Sequence, residues 1–238
     1  MLRSIVVLVL LLSALGLEAQ VYEKSFALEA GPHLGGRRIS GGALVQFSEL
    51  ERQEEIEDGI GGFGVGLLYE SRGDKLGFTT GLRYLETGYE IIDPGPDGPV
   101  LGTDIADKVR AQYLSLPFEI NFHQDITAKD RAFFMLGLSA HVHLNTSTRR
   151  TTTFDGEDRG TESLPDNPEL VYRPVNISLN TGLGYDRKLG DKWAVRVQPY
   201  FQFFLRGNLQ PDDRQLNRNF YQTGVRVVVK RIFSSIEL

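Results

Sequence analysis

Eight stretches of this chain alternate between polar and apolar residues, and the connections between them are alternately long and short. Alternation of this kind places successive side chains on opposite faces of a β-strand. The long–short rhythm of the connections is typical of an up-and-down barrel with one elaborated rim and one trimmed rim. The pattern therefore predicts an all-β, eight-stranded, antiparallel up-and-down β-barrel.

Each predicted strand has one face of Leu, Val, Ile and aromatic residues and one face rich in Gly, Ser, Asn and Gln. The strands are expected at about residues 25–35, 60–70, 76–84, 113–123, 134–145, 175–186, 193–206 and 221–230. The first long connection is acidic, and within it Ala43 to Phe47 is expected either to extend the first strand or to form an extra hairpin. The longest connection, Thr146 to Tyr172, is predicted to be a polar loop.

The first residues indicate a secretory signal peptide. Arg3 precedes an almost unbroken apolar run, Ile5 to Leu12, which is too short to span a bilayer as a stable helix. We expect cleavage after Ala19 or Gln20, with an uncleaved anchor as the alternative.

The domain boundaries follow as a signal peptide at 1–20 and one barrel domain at 21–238. The chain has no cysteine, which excludes disulfides and thiolate metal sites and suits an exported protein. The net charge is −5, with acidic and basic residues mixed, so the composition gives no indication of nucleic-acid binding.

Two orientations of the barrel wall are compatible with the alternation. An apolar interior would give a soluble, lipocalin-like ligand carrier, whereas an apolar exterior would give a transmembrane barrel. In the second orientation the outward aromatic residues fall at two levels, as membrane interfaces favour. The predicted interface aromatics are Tyr69, Phe78, Phe122, Phe134, Tyr185 and Trp193 at one level and Tyr84, Phe203 and Tyr221 at the other. We therefore predict a transmembrane barrel with long extracellular loops and short periplasmic turns.

The interior of an eight-stranded barrel is filled by side chains, so charged residues on its inward face need partners. An unpaired buried charge would cost several kcal/mol. The predicted lumen network is structural and comprises Glu29, Glu70, Arg83, Glu119, Asp186, Arg196, Arg226 and Lys230. A gated conduit or a proton path is the alternative use of these charges.

Three segments resemble a known family. They are Tyr113-Leu114-Ser115-Leu116-Pro117-Phe118-Glu119, Asn180-Thr181-Gly182-Leu183-Gly184-Tyr185-Asp186 and Asn217-Arg218-Asn219-Phe220-Tyr221-Gln222-Thr223-Gly224-Val225. In this order they resemble the PorT-like outer-membrane β-barrel family of Bacteroidota. The resemblance covers nearly the whole mature chain and implies an outer-membrane location, with assistance of secretion in one branch of the family.

The candidates for chemistry are few. Ser139, His141 and His143 share one inward face, which suggests a lipid-modifying enzyme as an alternative function. A metal site at His33, His141 and His143 lacks diagnostic spacing. The acidic loop Glu49 to Asp58 is predicted to be solvated, with divalent cations or a partner as the alternative.

The expected function is therefore that of a non-enzymatic outer-membrane protein of a Gram-negative bacterium. Its role would be structural or interactive: envelope integrity, surface recognition or accessory work in secretion. We expect no cofactor. The expected partners are outer-membrane lipid and lipopolysaccharide, the barrel-assembly machinery and envelope or secretion proteins.

Overall fold

The computed structural model describes residues 23–93, 103–155, 157–165, 170–212 and 215–235. The predicted signal peptide and the Pro/Gly-rich connection at 94–102 lie outside these ranges. The elements of the described chain are β1 (Glu23–Gly41), α1 (Phe47–Ile56), β2 (Glu57–Arg72), β3 (Leu76–Asp93), β4 (Thr103–Asp125), β5 (Asp130–Phe154), β6 (Glu157–Leu164), β7 (Val175–Lys188), β8 (Trp193–Phe204) and β9 (Leu216–Ser235).

Eight of these strands form a closed antiparallel ring. Each of β1 to β4 pairs with the next strand, the lower half of β5 pairs with β7, and β7, β8 and β9 follow in order. Among the described residues, strand β6 pairs only with the upper part of β5 and lies outside the ring. The ring closes between β9 and β1, where Glu23 lies opposite Ser235. This architecture confirms the predicted up-and-down barrel. Both described ends lie beside the short turns, the periplasmic rim in barrels of this plan.

The apolar face of the wall points outward. Phe118, Leu136 and Val197 are 46%, 43% and 45% exposed, whereas the alternate residues are buried in the lumen. Large apolar side chains that remain exposed on every strand of the barrel wall need a hydrocarbon environment. The transmembrane orientation is therefore confirmed, and the soluble carrier is excluded.

Strands β4 and β5 continue well above the apolar band. The prediction of a polar loop from Thr146 to Tyr172 was wrong over its first part, because β5 runs on to Phe154 and β6 pairs back along it. Both faces of this hairpin meet water, so its residues are mainly polar and lack the alternation that marked the other strands. The upper parts of β3, β4, β5 and β6 together form an extracellular β-extension.

The acidic connection between β1 and β2 contains the helix α1 rather than a hairpin. Residues Ala43 to Gln46 lead into the helix, which begins at Phe47, so both predicted alternatives for this segment were wrong. Within the described ranges, no helix is long and apolar enough to cross a membrane.

Candidate functional site

The lower lumen contains four charged side chains that neutralise one another. Arg196 Nε lies 2.6 Å from Asp186 Oδ1, and its Nη1 lies 2.8 Å from Glu70 Oε1. Lys230 Nζ contacts the same two carboxylates, at 2.8 Å and 2.6 Å. These four residues, the lower quartet, come from β2, β7, β8 and β9. The Phe133 ring packs against Arg196, with the guanidinium carbon 4.1 Å from the ring centroid.

A second set of four, the upper quartet, lies closer to the extracellular rim and shares only β9 with the lower quartet. Arg83 Nε donates to Glu29 Oε1 at 2.6 Å, and Arg83 Nη2 lies 3.3 Å from Glu119 Oε1. Arg226 Nη1 donates to Glu119 Oε1 at 3.2 Å. The set links β1, β3, β4 and β9 across the lumen. All eight residues of the predicted network are therefore buried and divided into two neutral quartets.

Glycines make room for the long basic side chains. An added Cβ on Gly66 would lie 3.5 Å from the Arg83 side chain, and one on Gly62 would lie 2.6 Å from His33 Nε2. An added Cβ on Gly184 would overlap the Phe133 ring. The glycine-rich inward face of the strands thus follows from what packs against it.

A neutral polar layer surrounds His141 above the upper quartet. The ring bonds to Ser115 Oγ through Nδ1 and to Ser178 Oγ through Nε2, each at 2.7 Å. Ser178 Oγ in turn donates to Asn180 Oδ1, so a neutral ring protonated on Nε2 satisfies both serine hydroxyls. Ser139 accepts instead from Asn180 Nδ2 at 2.6 Å. The structure does not join Ser139 and His141, which the sequence suggested as a pair.

Aromatic rings close the lumen above this layer. Phe204 stacks on His141 with ring centroids 4.4 Å apart and packs against Tyr113 and Phe220. Phe220 then stacks on Tyr89. These residues share the inward phase of their strands, but their place in a common layer depends on strand register, which the sequence does not reveal.

The extracellular mouth contains an ion cluster that sequence reasoning missed. Glu57, which was placed in the solvated acidic loop, is fully buried, and Arg218 Nη2 donates to its Oε2 at 2.7 Å. Arg37 Nε donates to Glu57 Oε1 at 3.1 Å, and Gln53 of α1 donates to Oε2 at 2.9 Å. The prediction for Glu57 was wrong because it is the first residue of β2 rather than the end of the loop.

The outward aromatic residues occupy both ends of the apolar band. Toward the periplasmic rim, Phe122 stacks on Phe134 at 6.2 Å. Toward the other rim, Phe203 lies opposite Tyr221 across β8 and β9. Tyr69, Phe78, Tyr84, Tyr185 and Trp193 also lie on the outer face. The structure adds Phe26 and Phe233, which stack with centroids 5.1 Å apart beside Tyr69.

The extracellular β-extension is held together by ion pairs and hydroxyl contacts. Arg150 donates to Asp107 at 2.8 and 2.7 Å, and this hydrogen bonding raises the pKa of the guanidinium, so the pair stays charged. Glu86 and Arg110 form a second cross-strand pair, and Thr151 and Thr161 join β5 to β6 at 3.1 Å. The extension is thus ordered by contacts of its own.

No three His, Asp or Glu side chains in the described ranges converge as a metal-ligand set. The four histidines are separated by position and partner. His141 lies in the neutral polar layer, and His143 forms a hydrogen bond with Thr146. His33 packs between glycines, and His123 packs against Phe133.

Comparison with known proteins identifies the family. Residues 38–207 match the model of the outer membrane protein beta-barrel domain. Neisserial surface protein A is 13% identical with a TM-score of 0.42, covering 86% of this chain and 96% of that one. The outer membrane protease OmpT from Escherichia coli is 8% identical with a TM-score of 0.48, covering 89% and 97%. The attachment invasion locus protein Ail of Yersinia pestis is 12% identical with a TM-score of 0.30, covering 87% and 99%.

No curated protein matches the sequence. Because the family model spans most of the chain and the fold agrees with it, the chain belongs to the outer membrane protein beta-barrel domain family and is an integral protein of the outer membrane.

Proposed function

We propose that the protein is a non-enzymatic surface-recognition protein of the outer membrane whose barrel anchors and displays the extracellular β-extension. The observation that carries this proposal is the sequence of layers across the lumen. Two neutral quartets, the neutral polar layer around His141 and the aromatic rings follow one another between the rims. Side chains joined across the axis in this way support an anchor rather than a conduit.

The anchoring part of the proposal is tested by conductance. Purified protein inserted in a planar bilayer is expected to give no stable conductance steps under applied voltage. The matched sample is the double variant Arg83→Ala/Arg226→Ala. It removes two guanidinium groups of the upper quartet and so shows how conductance responds when side chains that fill the lumen are lost. Steady conductance from the wild-type protein would favour the alternative of a gated conduit.

The recognition part is tested on the extension itself. Residues 151–161, which include the end of β5 and the start of β6, are replaced by Asn-Gly, and surface-crosslinked envelopes are used for pull-down with the wild-type and the shortened protein. A partner captured by the wild type and by Lys129→Ala in a periplasmic turn, but lost with the shortened hairpin, is the expected result. Equal capture by the shortened protein would place recognition elsewhere.

A lipid-modifying enzyme is the alternative function, and we propose against it. Ser115, Ser178 and His141 have the hydrogen bonds of a nucleophile–base pair, but each is at most 1% exposed in the lumen. A lipid substrate would have to reach the reacting oxygen. Lipid A from a deletion strain is expected to be restored equally by the wild type, Ser115→Ala and His141→Ala, or not to change at all. Loss of restoration with either variant would establish the enzyme.

Within the family, we propose that the chain is PorT-like, on the strength of the motif order given above. The expected folding partner is the barrel-assembly machinery, and the extension is the expected contact for envelope or secretion proteins. Depletion of the assembly machinery should leave the protein protease-sensitive in envelope fractions.

A further inference from the structure

The lipid-facing surface near the periplasmic rim carries one arginine surrounded by aromatic rings. Arg231 lies opposite Trp193 on β8 and opposite Phe26 on β1. Those two rings point outward and are 48% and 55% exposed. The guanidinium carbon of Arg231 lies 5.9 Å from the centroid of the Trp193 ring. In the described part of the chain, no carboxylate forms an ion pair with this exposed guanidinium.

A strip of short side chains runs up the barrel from this arginine. Val229 lies opposite Val195, and Val227 lies opposite Val197, on the outer faces of β9 and β8. Val225 continues the strip next to Pro199. Its neighbours are Tyr185 of β7, opposite Val197, and Leu28 and Ala30 of β1, opposite Val229 and Val227. The result is a smooth apolar strip that leads from the middle of the membrane to Arg231.

Around the lower end of this strip three basic side chains lie beside two acidic ones, so the charge is positive by one. Lys192 is exposed in the turn before β8, and its carbonyl accepts from Ile232, next to Arg231. Arg187, at the end of β7, is 60% exposed although it lies 3.4 Å from Asp130. Asp191 is the acidic residue of the same turn. Since no carboxylate of the described chain pairs with Arg231, its guanidinium N–H groups can donate to a lipid phosphate at the membrane interface.

We propose that Arg231, Trp193 and the valine strip form a binding site for one anionic glycerophospholipid of the periplasmic leaflet. The phosphate would contact the guanidinium of Arg231, and the acyl chains would lie along the valines. Basic side chains beside an aromatic girdle are suited to this, since the girdle marks the depth of the phosphates. Lipopolysaccharide is not the expected ligand, because its phosphates lie at the extracellular rim. The site is independent of the proposed recognition function.

Native mass spectrometry of the full-length mature barrel in a neutral detergent tests the proposal. The probes are phosphatidylglycerol and phosphatidylethanolamine at equal concentration, with glycerol 3-phosphate and lipopolysaccharide in separate samples. The wild type is expected to retain phosphatidylglycerol in preference to phosphatidylethanolamine. Arg231→Gln should weaken that retention about fivefold, whereas Arg231→Lys should keep most of it.

The matched control is Arg149→Gln, an exposed arginine at the opposite end of the barrel wall, which should retain the lipid like the wild type. Val197→Leu/Val227→Leu should weaken binding of the lipid without changing the net charge. Equal retention by Arg231→Gln and Arg149→Gln would overturn the site. Displacement of the lipid by glycerol 3-phosphate alone would show that the site binds a free phosphate. Stronger retention of lipopolysaccharide through Arg231 would show that the ligand comes from the outer leaflet. Either result contradicts the proposal.

Discussion

Arg83 Nε lies 2.6 Å from Glu29 Oε1, and both side chains are buried among the four charges of the upper quartet. Removing one carboxylate leaves a buried positive charge that the quartet no longer balances. We expect Glu29→Gln to lower the free energy of unfolding by about 3–5 kcal/mol. The measurement is urea unfolding in phosphatidylcholine vesicles, followed by the fluorescence of the single tryptophan, Trp193.

Two further variants make this test specific. Glu162→Gln, on the exposed β6, should unfold like the wild type. Glu29→Gln/Arg83→Met keeps a neutral Glu119–Arg226 pair and should recover much of the loss. A Glu29→Gln protein as stable as the Glu162→Gln control would show that charge balance in the lumen is not needed.

Gly184 is required because the Phe133 ring occupies the space next to its Cα. A methyl group at this position would displace the ring and disturb its packing against Arg196. We expect Gly184→Ala to lower the free energy of unfolding by about 1–3 kcal/mol. Gly190→Ala, in a turn where an added Cβ meets nothing within 4 Å, is the control. Phe133→Leu should rescue Gly184→Ala, and an absence of rescue would assign the effect to the backbone instead.

Glu57 connects α1 to the mouth of the barrel. Its carboxylate accepts from Gln53 on the helix and from Arg37 and Arg218 on the wall. Loss of a charged hydrogen bond, worth about 1.5–3 kcal/mol, should raise the opened population of α1 about tenfold or more. In intact cells, trypsin should therefore cut Glu57→Gln after Arg52 correspondingly faster. Trypsin should cut Glu51→Gln, a variant on the exposed part of the helix, at the wild-type rate. Similar cleavage rates for Glu57→Gln and Glu51→Gln would refute the role of Glu57.

The pH response of one periplasmic turn depends on Tyr185. Its hydroxyl donates to Asp130 at 2.6 Å, and this bond, followed by one from Thr127, holds the pKa of Asp130 below its usual value. A lowered folded-state pKa stabilises the turn above the unfolded pKa, and this stabilisation is lost as pH falls through the folded pKa. Tyr185→Phe should raise the pKa of Asp130, as measured by carbon NMR of the carboxylates in micelles. Tyr221→Phe in the other girdle should leave it unchanged; an unshifted pKa in Tyr185→Phe would disprove the coupling.

The sequence was sufficient to predict the barrel wall because one face of each strand meets hydrocarbon. That contrast makes residues such as Leu136 and Gly137 alternate, and the alternation gives strand existence and orientation together. The division of the eight lumen charges into two quartets could not be predicted. It depends on the stagger between strands, which brings Glu119 of β4 to Arg226 of β9 across 107 residues of chain.

The errors have a common cause in the surroundings of the residues concerned. The β5–β6 hairpin meets water on both faces, so nothing in Thr146 to Leu164 distinguishes strand from loop by hydrophobicity. For α1, the spacing of Phe47 and Leu50 was a helical signal within the acidic run. Glu57 looked like its neighbours in composition, and only its partners on β1 and β9 reveal that it is buried.

The last strand supplies the balancing charges of both quartets. Before β9 joins, the remaining strands bring Glu29, Glu70, Glu119 and Asp186 toward the axis against only Arg83 and Arg196. Arg226 and Lys230, both on β9, make up the difference. Neither quartet is electrically neutral without β9, so the pairing of β9 with β1 that closes the wall also completes the charge balance of the lumen.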